Sequence, residues 1–240
     1  VNEGPFQTGT GTITFFKPDS NLVKQDIFET VNGRPLGNIA QSMTIHDDKG
    51  YIVVNNAGSV EVVNAATFKS EGTITGFANP AQFLAINSTK AYVTDWAGSV
   101  AVVDLTTKTI KSTIQTGTGP DAMIRSGNMV LVANTGGFGV DSTISIIDLS
   151  TDKVVKTIVV GEAPGAMVVD RDGKIWVICK GIGFAGWPMP GDTPGRLVRI
   201  DPNTFTVDFT YKFPSEGDHP EKLVINKEKS VLYFLHNNGI

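Results

Sequence analysis

The sequence predicts an all-β fold assembled from repeated four-stranded units, and three observations support this prediction. One strand-and-turn segment recurs without gaps, at SVEVVNAATFK (59–69), SVAVVDLTTKT (99–109), TISIIDLSTDK (143–153) and RLVRIDPNTFT (196–206). The glycines at 11, 58, 98, 195 and 239 follow a period of about 40 to 50 residues, the interval from 98 to 195 covering two units. The apolar runs are short, rich in Val and Ile, and cut by turn residues, so a helical interpretation fails. An all-β repeat of this length is typical of a β-propeller, with one blade per repeat.

The repeat that begins at Gly98 serves as the template for the four strands of a blade. They are read, in chain order, as SVAVVD, TIKSTIQT, DAMIRS and MVLVAN. Each alternates apolar and polar residues or forms a short apolar run, as strands in a packed sheet do. TITFFKPDSNL (12–22) is a looser fifth copy of the opening segment.

An Asn or Asp stands three residues before a Thr in each close copy of the opening segment. These residues are Asn64, Asp104, Asp148 and Asp201. Such a side chain can accept hydrogen bonds from backbone N–H groups two or three residues further on, which closes a tight turn. We therefore interpret the recurring residue as part of the scaffold.

The loops fall into two groups according to their variability. The segments AQFLAI (81–86), DAMIRS (121–126), GAMVVD (165–170) and EKLVIN (221–226) have the small and apolar residues expected of the strand nearest a propeller axis. This assignment places short, uniform, polar loops on one face and loops of varying length on the other. Binding residues concentrate on variable loops carried by a rigid scaffold. The longest of them runs from 180 to 195 and has no visible secondary structure.

Aromatic and polar side chains on the varying loops are the candidate ligand contacts. The aromatic candidates are Phe6, Trp96, Phe138, Phe184 and Trp187. The polar candidates are Arg34, Asn56, Lys180, His219 and His236. The alternative for Trp96, in the turn between YVTD and SVAVVD, is that it packs on its own blade. For each polar residue the alternative is an ordinary solvated loop position.

Composition and motifs exclude several functions. The net charge of −4 argues against a nucleic-acid partner, and no apolar run is long enough for a transmembrane segment. The single cysteine, Cys179 in IWVICK, cannot form an internal disulfide and is predicted to be a buried, inert thiol. Metalloprotease, serine-hydrolase and phosphate-loop motifs are missing, and two histidines without matching ligands give only a weak metal signal. We therefore predict no catalytic residues, no metal and no cofactor.

The segment YVTD (92–95), followed by GSVAVVD and accompanied by GPDAMI and APGAMVV, resembles the YVTN (YncE-like) repeat family of β-propellers. Members of that family are usually seven-bladed. This chain has about five repeats, and both ends fall inside a repeat. We expect a single propeller domain over residues 1–240 that is cropped at both ends and belongs to a larger ring; a closed, smaller ring is the alternative.

The opening NEGPFQTGTGTITFF resembles the start of exported propellers from Bacteroidetes. These include surface lipoproteins that capture cobalamin and pass it to an outer-membrane transporter. The resemblance implies a non-catalytic capture protein at the cell surface or in the periplasm, with a corrinoid as ligand and a transporter as partner. The alternatives are a glycan- or protein-binding propeller, a structural or adhesive one, and a lactonase- or lyase-like enzyme that would use His219, Glu221 and His236.

Overall fold

The computed structural model describes residues 1–5, 8–184 and 189–236. Twenty strands and one α-helix lie in this part of the chain. Contacts between residues group the chain into two compact units, Val1–Thr113 and Ile114–Ile240. The single domain expected over residues 1–240 stays a prediction.

The first unit opens with a small sheet and a helix and continues with two larger sheets. The small sheet pairs β1 (Phe15–Lys17) with β2 (Leu22–Lys24), joined by a 3₁₀ turn at Pro18–Ser20, and helix α1 (Ile27–Asn32) follows. The next sheet contains β3 (Ala40–His46), β4 (Lys49–Val54), β5 (Ser59–Asn64) and β6 (Ser70–Thr75). A further sheet contains β7 (Pro80–Ala85), β8 (Lys90–Asp95), β9 (Ser99–Asp104) and β10 (Thr109–Gln115), and the boundary between the units falls within β10.

The second unit contains two four-stranded antiparallel sheets and one described pair of strands. The first sheet consists of β11 (Pro120–Ser126), β12 (Met129–Asn134), β13 (Thr143–Asp148) and β14 (Lys153–Val159). The second consists of β15 (Pro164–Val169), β16 (Ile175–Cys179), β17 (Arg196–Asp201) and β18 (Thr206–Lys212). The pair is β19 (Glu221–Ile225) with β20 (Leu232–Leu235). Strand order in every sheet follows chain order, as expected when short hairpins connect neighbours.

The phase of the predicted repeat is wrong, although its length is right. The four strands read from Gly98 are β9, β10, β11 and β12, and they are divided between two sheets. β9 and β10 complete one sheet, whereas β11 and β12 begin the next. The reason is that the loop at 116–119 does not form a hairpin: it leads from the last strand of one sheet to the first strand of the following one.

Both faces of β4 are buried, which explains its nearly continuous apolar sequence. In β4, Tyr51 and Val53 point into a cluster that β7, β8 and β9 share, and the Tyr51 ring stacks on Phe83 with centroids 4.2 Å apart. Ile52 and Val54 point into a second cluster on the opposite face. Burying each such side chain stabilises the fold by roughly 1.5–3 kcal/mol. The run YIVV therefore marks a strand that is packed on both sides.

The first strand of each large sheet is an edge strand that contacts the first strand of a neighbour. In the first unit the Ser42 hydroxyl of β3 donates to the Ala81 carbonyl of β7 at 2.7 Å, and that of Thr44 donates to Phe83 O at 3.1 Å. In the second unit β11 contacts β15, and β15 contacts β19. Within each unit, this is the arrangement predicted for the inner strands of blades.

Helix α1 corrects the prediction that the chain contains no helix. Phe28 is 1% exposed and packs against Leu36 and Ile52, so the segment is held by its tertiary contact. Gly33 ends the helix in the left-handed conformation, at φ 66°, and its N–H donates to Glu29 O at 2.8 Å. The stop signal was visible in the sequence, but six residues are too few to show a helical period.

The recurring Asx turns are confirmed. The side chains of Asn64 and Asp104 each accept two backbone N–H groups, at 2.8–3.1 Å. Asp148 and Asp201 accept the N–H two residues ahead, at 2.7 and 2.8 Å respectively. The pKa of each of the three aspartates is lowered: that of Asp104 chiefly by the Thr107 N–H, that of Asp148 chiefly by the Ser150 hydroxyl, and that of Asp201 chiefly by Lys174 and then by the Asn203 N–H. The residue four positions after each Asx lies in the left-handed region; these residues are Phe68, Lys108, Asp152 and Phe205.

Candidate functional site

Trp96 lies on a turn that Asp95 holds in place. The Asp95 carboxylate is buried and accepts the backbone N–H groups of Ala78 and Asn79, at 2.7 and 3.0 Å, and that of Ala97 at 3.0 Å. The Trp96 N–H in turn donates to Asn79 O at 3.0 Å. The last residue of the YVTD segment therefore ties the β8–β9 turn to the loop that enters β7. Trp96 itself is half-buried.

Asn56 joins two loops of the first unit through a second asparagine. Its amide donates to the Asn38 side-chain oxygen at 2.8 Å, and the Asn38 amide donates to Pro5 O at 2.9 Å. Both asparagines therefore help to position the loop that opens the chain. Phe6, the aromatic candidate of that loop, lies outside the described residues.

Arg34 pairs with a buried carboxylate. Its Nη2 lies 2.8 Å from Oε1 of Glu61, whose side chain is only 2% exposed. Glu61 also accepts from the hydroxyls of Ser70 and, at 2.8 Å, Thr73. The guanidinium lies over the Phe28 ring, 4.9 Å from its centroid. Because a buried carboxylate needs such partners, this geometry gives Arg34 a structural role, and its contact with a ligand stays a prediction.

We expect Arg34→Met to lower the free energy of unfolding by about 2 kcal/mol, because it leaves Glu61 buried with hydroxyl partners only. Chemical denaturation of the chain followed by circular dichroism measures this loss. Lys111→Met is the matched control, since Lys111 pairs at 3.4 Å with the Asp104 carboxylate near the surface. Equal stability of the two variants would contradict the structural role of Arg34.

Phe138 is carried by a loop that backbone hydrogen bonds hold at its base. The loop connects β12 to β13, and the Phe138 side chain is 87% exposed. The N–H groups of Thr135 and Gly136 donate to Gly119 O and Thr118 O, at 3.0 and 2.9 Å. This loop is therefore tied to the one that enters β11.

Lys180, Phe184 and Glu221 form a cluster in the second unit. The Lys180 ammonium lies 2.8 Å from Oε1 of Glu221 and 5.8 Å from the centroid of the Phe184 ring. Phe184 is 71% exposed, and roughly a third of the Lys180 side chain remains accessible. The cluster thus presents at the surface an aromatic ring with a cation over one of its faces.

The base of the long insertion between β16 and β17 is fixed. Ile182 N–H donates to the Thr193 hydroxyl and Thr193 N–H donates to Ile182 O, both at 3.0 Å. The Asp192 carboxylate accepts Met189 N–H at 2.8 Å. Phe184 therefore follows directly on a stem, formed by Ile182 and Thr193, that these hydrogen bonds hold in place. Trp187, the other aromatic candidate of this insertion, lies outside the described residues.

His219 is buried beneath this stem. Its side chain has no exposed surface, and Nδ1 lies 3.0 Å from the Lys180 carbonyl oxygen. A carbonyl can only accept, so Nδ1 carries the proton of this hydrogen bond. The other ring nitrogen, Nε2, lies 3.9 Å from Oδ2 of Asp192. His219 thus braces the start of the insertion, and Asp192 is a neighbour that sequence reasoning missed because loop residues carry no periodic signal.

His236 pairs with a carboxylate through one of its ring nitrogens. Its Nε2 lies 2.9 Å from Oδ1 of Asp218, and its ring packs against Phe213 with centroids 5.3 Å apart. Asp218 also accepts Ser215 N–H through its other oxygen, at 2.8 Å. The ring is about a third exposed. His236 could therefore contact a ligand only at its open edge.

Cys179 is confirmed as a buried thiol. It has no exposed surface and belongs to the core cluster between the two large sheets of the second unit. Burial raises the pKa of the thiol to about 12. A group with this pKa is protonated at neutral pH and is a poor nucleophile.

The structure brings some candidates together and leaves others apart. His219 lies next to the cluster of Lys180, Phe184 and Glu221, and its other neighbour is Asp192. His236 pairs with Asp218, the residue that precedes His219. Arg34, Asn56 and Trp96 belong to the first unit and make separate local contacts. The gathering of all ten candidates on one face stays a prediction.

In the part of the chain that is described, no three His, Cys, Asp or Glu side chains are placed to hold a metal ion. No helix among those residues has the length and apolar character needed to cross a membrane.

The sheets and their order define a β-propeller protein, and solved structures share this fold. Hydrazine synthase from Kuenenia stuttgartiensis is 20% identical with a TM-score of 0.67, over 79% of this chain and 52% of that one. A quinonprotein alcohol dehydrogenase-like protein from Bacteroides thetaiotaomicron is 18% identical with a TM-score of 0.68, over 95% and 57%. The dihydro-heme d1 dehydrogenase NirN in complex with DHE is 14% identical with a TM-score of 0.58, over 80% and 40%. The chain spans about half the length of these structures, and at such identities the likeness establishes the fold alone.

The chain belongs to the family described as a domain of unknown function, DUF5074, whose profile matches residues 1–230. No curated protein matches the sequence. The YVTN resemblance is thus supported as far as the β-propeller fold.

Proposed function

We propose that the chain is a non-catalytic, ligand-binding propeller that captures a small molecule, and that Phe184 and Lys180 form part of its binding surface. The observation that carries this proposal is the exposed Phe184 ring, which has the Lys180 ammonium over one face and stands on an insertion whose base is fixed by hydrogen bonds. An aromatic ring in water presents a face on which a flat ligand can stack, which contributes roughly 1–3 kcal/mol per contact. A stem that is already ordered lowers the entropic cost of binding.

The burial of His219 favours a binding role over the enzymatic alternative. The lactonase- or lyase-like alternative would use His219, Glu221 and His236 as the reacting groups. The His219 ring is inaccessible, Glu221 pairs with Lys180, and His236 pairs with Asp218. A general base has to reach the proton that it abstracts, and the His219 ring cannot do so in this arrangement.

A corrinoid is the ligand that we propose first. The resemblance to exported Bacteroidetes propellers, described above, favours cobalamin capture. A corrinoid also has a flat macrocycle that could stack on Phe184 and polar substituents that could reach Lys180. One protein of similar fold is described as a dihydro-heme d1 dehydrogenase in complex with DHE. On this proposal the protein is exported and passes its ligand to an outer-membrane transporter.

Titration of the chain with cyanocobalamin, by calorimetry and by quenching of tryptophan fluorescence, tests the proposal. We expect saturable binding that Phe184→Ala weakens about ten-fold, because one stacking contact is lost. Phe16→Ala is the matched control: Phe16 is 55% exposed, lies in β1 of the other unit, and should leave binding unchanged.

Absence of both heat and quenching would remove the corrinoid proposal. If Phe184→Ala and Phe16→Ala weakened corrinoid binding equally, Phe184 would not be a specific contact of the ligand. Turnover of a lactone that is lost in His219→Ala would instead support the enzymatic alternative.

A further inference from the structure

A groove of about 270 Å³ in the second unit combines an open ion pair with apolar walls. It runs between the end of β14 and the strands β17 and β18, and Val159, Val160 and Val207 line it together with Glu162 and Arg196. This volume far exceeds the space that one water occupies, roughly 30 Å³ in the liquid. It approaches the roughly 300 Å³ at which small-ligand sites begin.

The charged pair in this groove, Arg196 and Glu162, is close enough for an ion pair but not for a hydrogen bond. Nη2 of Arg196 lies 3.9 Å from Oε2 of Glu162, which is too far for a hydrogen bond. Neither Nε of Arg196 nor Oε2 of Glu162 has a hydrogen-bond partner among the described residues, although both atoms are buried. The two side chains as a whole keep 36% and 29% of their surface exposed. Buried polar groups without partners are rare and costly, so their presence in a native fold calls for an explanation.

The backbone holds the pair open. Arg196 is the first residue of β17, and its Cδ packs against Gly161, where an added Cβ would lie 3.0 Å away. Glu162 is anchored by its own carbonyl, which accepts Gly181 N–H at 3.0 Å. Donor and acceptor therefore start from two fixed points. A molecule that lies in the groove alongside the pair could offer an acceptor to Arg196 and a donor to Glu162.

We propose that this groove binds an α-amino acid with an aliphatic side chain. The ligand carboxylate would accept from the Arg196 guanidinium, whose planar set of donors suits a carboxylate. The ligand ammonium would donate to the Glu162 carboxylate. Val159 is 70% exposed and Val207 37% exposed, and an aliphatic side chain between them would remove their surface from water. This proposal does not rest on the corrinoid proposal.

Calorimetric titration of the chain with L-leucine tests the site. We expect saturable binding that falls at least ten-fold in Arg196→Met and in Glu162→Gln. Lys212→Met is the matched control, because Lys212 is a cation that lies opposite Arg196 in the register of β17 and β18. This variant should bind L-leucine as the unchanged protein does. On the unchanged protein, 4-methylpentanoate lacks the ammonium and isoamylamine lacks the carboxylate, and each should bind at least ten-fold more weakly than leucine.

The ligand series decides the matter even if a variant fails to fold. Absence of saturable heat with L-leucine would mean that the groove holds water only and would overturn the proposal. So would equal affinity for leucine and either truncated analogue. If the folded Arg196 and Glu162 variants bound leucine as tightly as the Lys212 variant, the site would lie elsewhere.

Discussion

Replacing Gly195 by alanine is expected to lower the free energy of unfolding by about 3 kcal/mol, at the upper end for an overpacked site. A Cβ at this position would collide with the ring of Pro220 and lie 2.7 Å from the Cys179 carbonyl oxygen. Neither neighbour can move easily, because one is a proline ring and the other is backbone of β16. Gly195 also donates to Asp218 O at 2.8 Å, next to the buried His219. The close approach therefore joins the end of the long insertion to the turn that carries the histidine.

Thermal unfolding measures this effect. A loss of this size lowers the melting temperature by roughly 6–12 °C in a chain of this length. Gly165→Ala is the matched control, since a Cβ at Gly165 meets only Ile178 O, at an ordinary distance of 3.7 Å. If Gly195→Ala melted together with Gly165→Ala, the packing described for the base of the insertion would be incorrect.

Phe28→Ala is expected to cost about 3–5 kcal/mol, as removal of a large core side chain does. Phe28 is 1% exposed and joins helix α1 to Leu36 and Ile52 in one cluster. It also supports the Arg34 guanidinium on its ring. Its loss would leave a cavity and would also loosen the pair that Arg34 forms with Glu61.

Chemical denaturation, with Phe16→Ala as the control, tests this prediction. Phe16 is 55% exposed, so its replacement should change stability by about 0.5 kcal/mol or less. Comparable stability of the two variants would show that α1 does not pack on the sheet of β3 to β6.

The amino-acid sequence by itself determined the all-β class, the period, the Asx turns and the buried Cys179. These features depend on local rules: alternation of apolar residues, turn chemistry within four residues, and burial of apolar runs. The strand segments predicted for the inner position, such as AQFLAI and DAMIRS, coincide with β7 and β11 for the same reason.

Only the tertiary structure decided which strands share a sheet, because a repeating sequence has the same period wherever counting begins. It also decided that Ile27–Asn32 is a helix, since burial of Phe28 rather than helical periodicity holds that segment. It gave Arg34 and His219 their partners, Glu61 and the Lys180 carbonyl, which lie 27 and 39 residues away in the chain. The ion pair of Glu162 and Arg196 also joins residues that are distant in the chain. Loop side chains are positioned by contacts between distant segments, and no local pattern records those contacts.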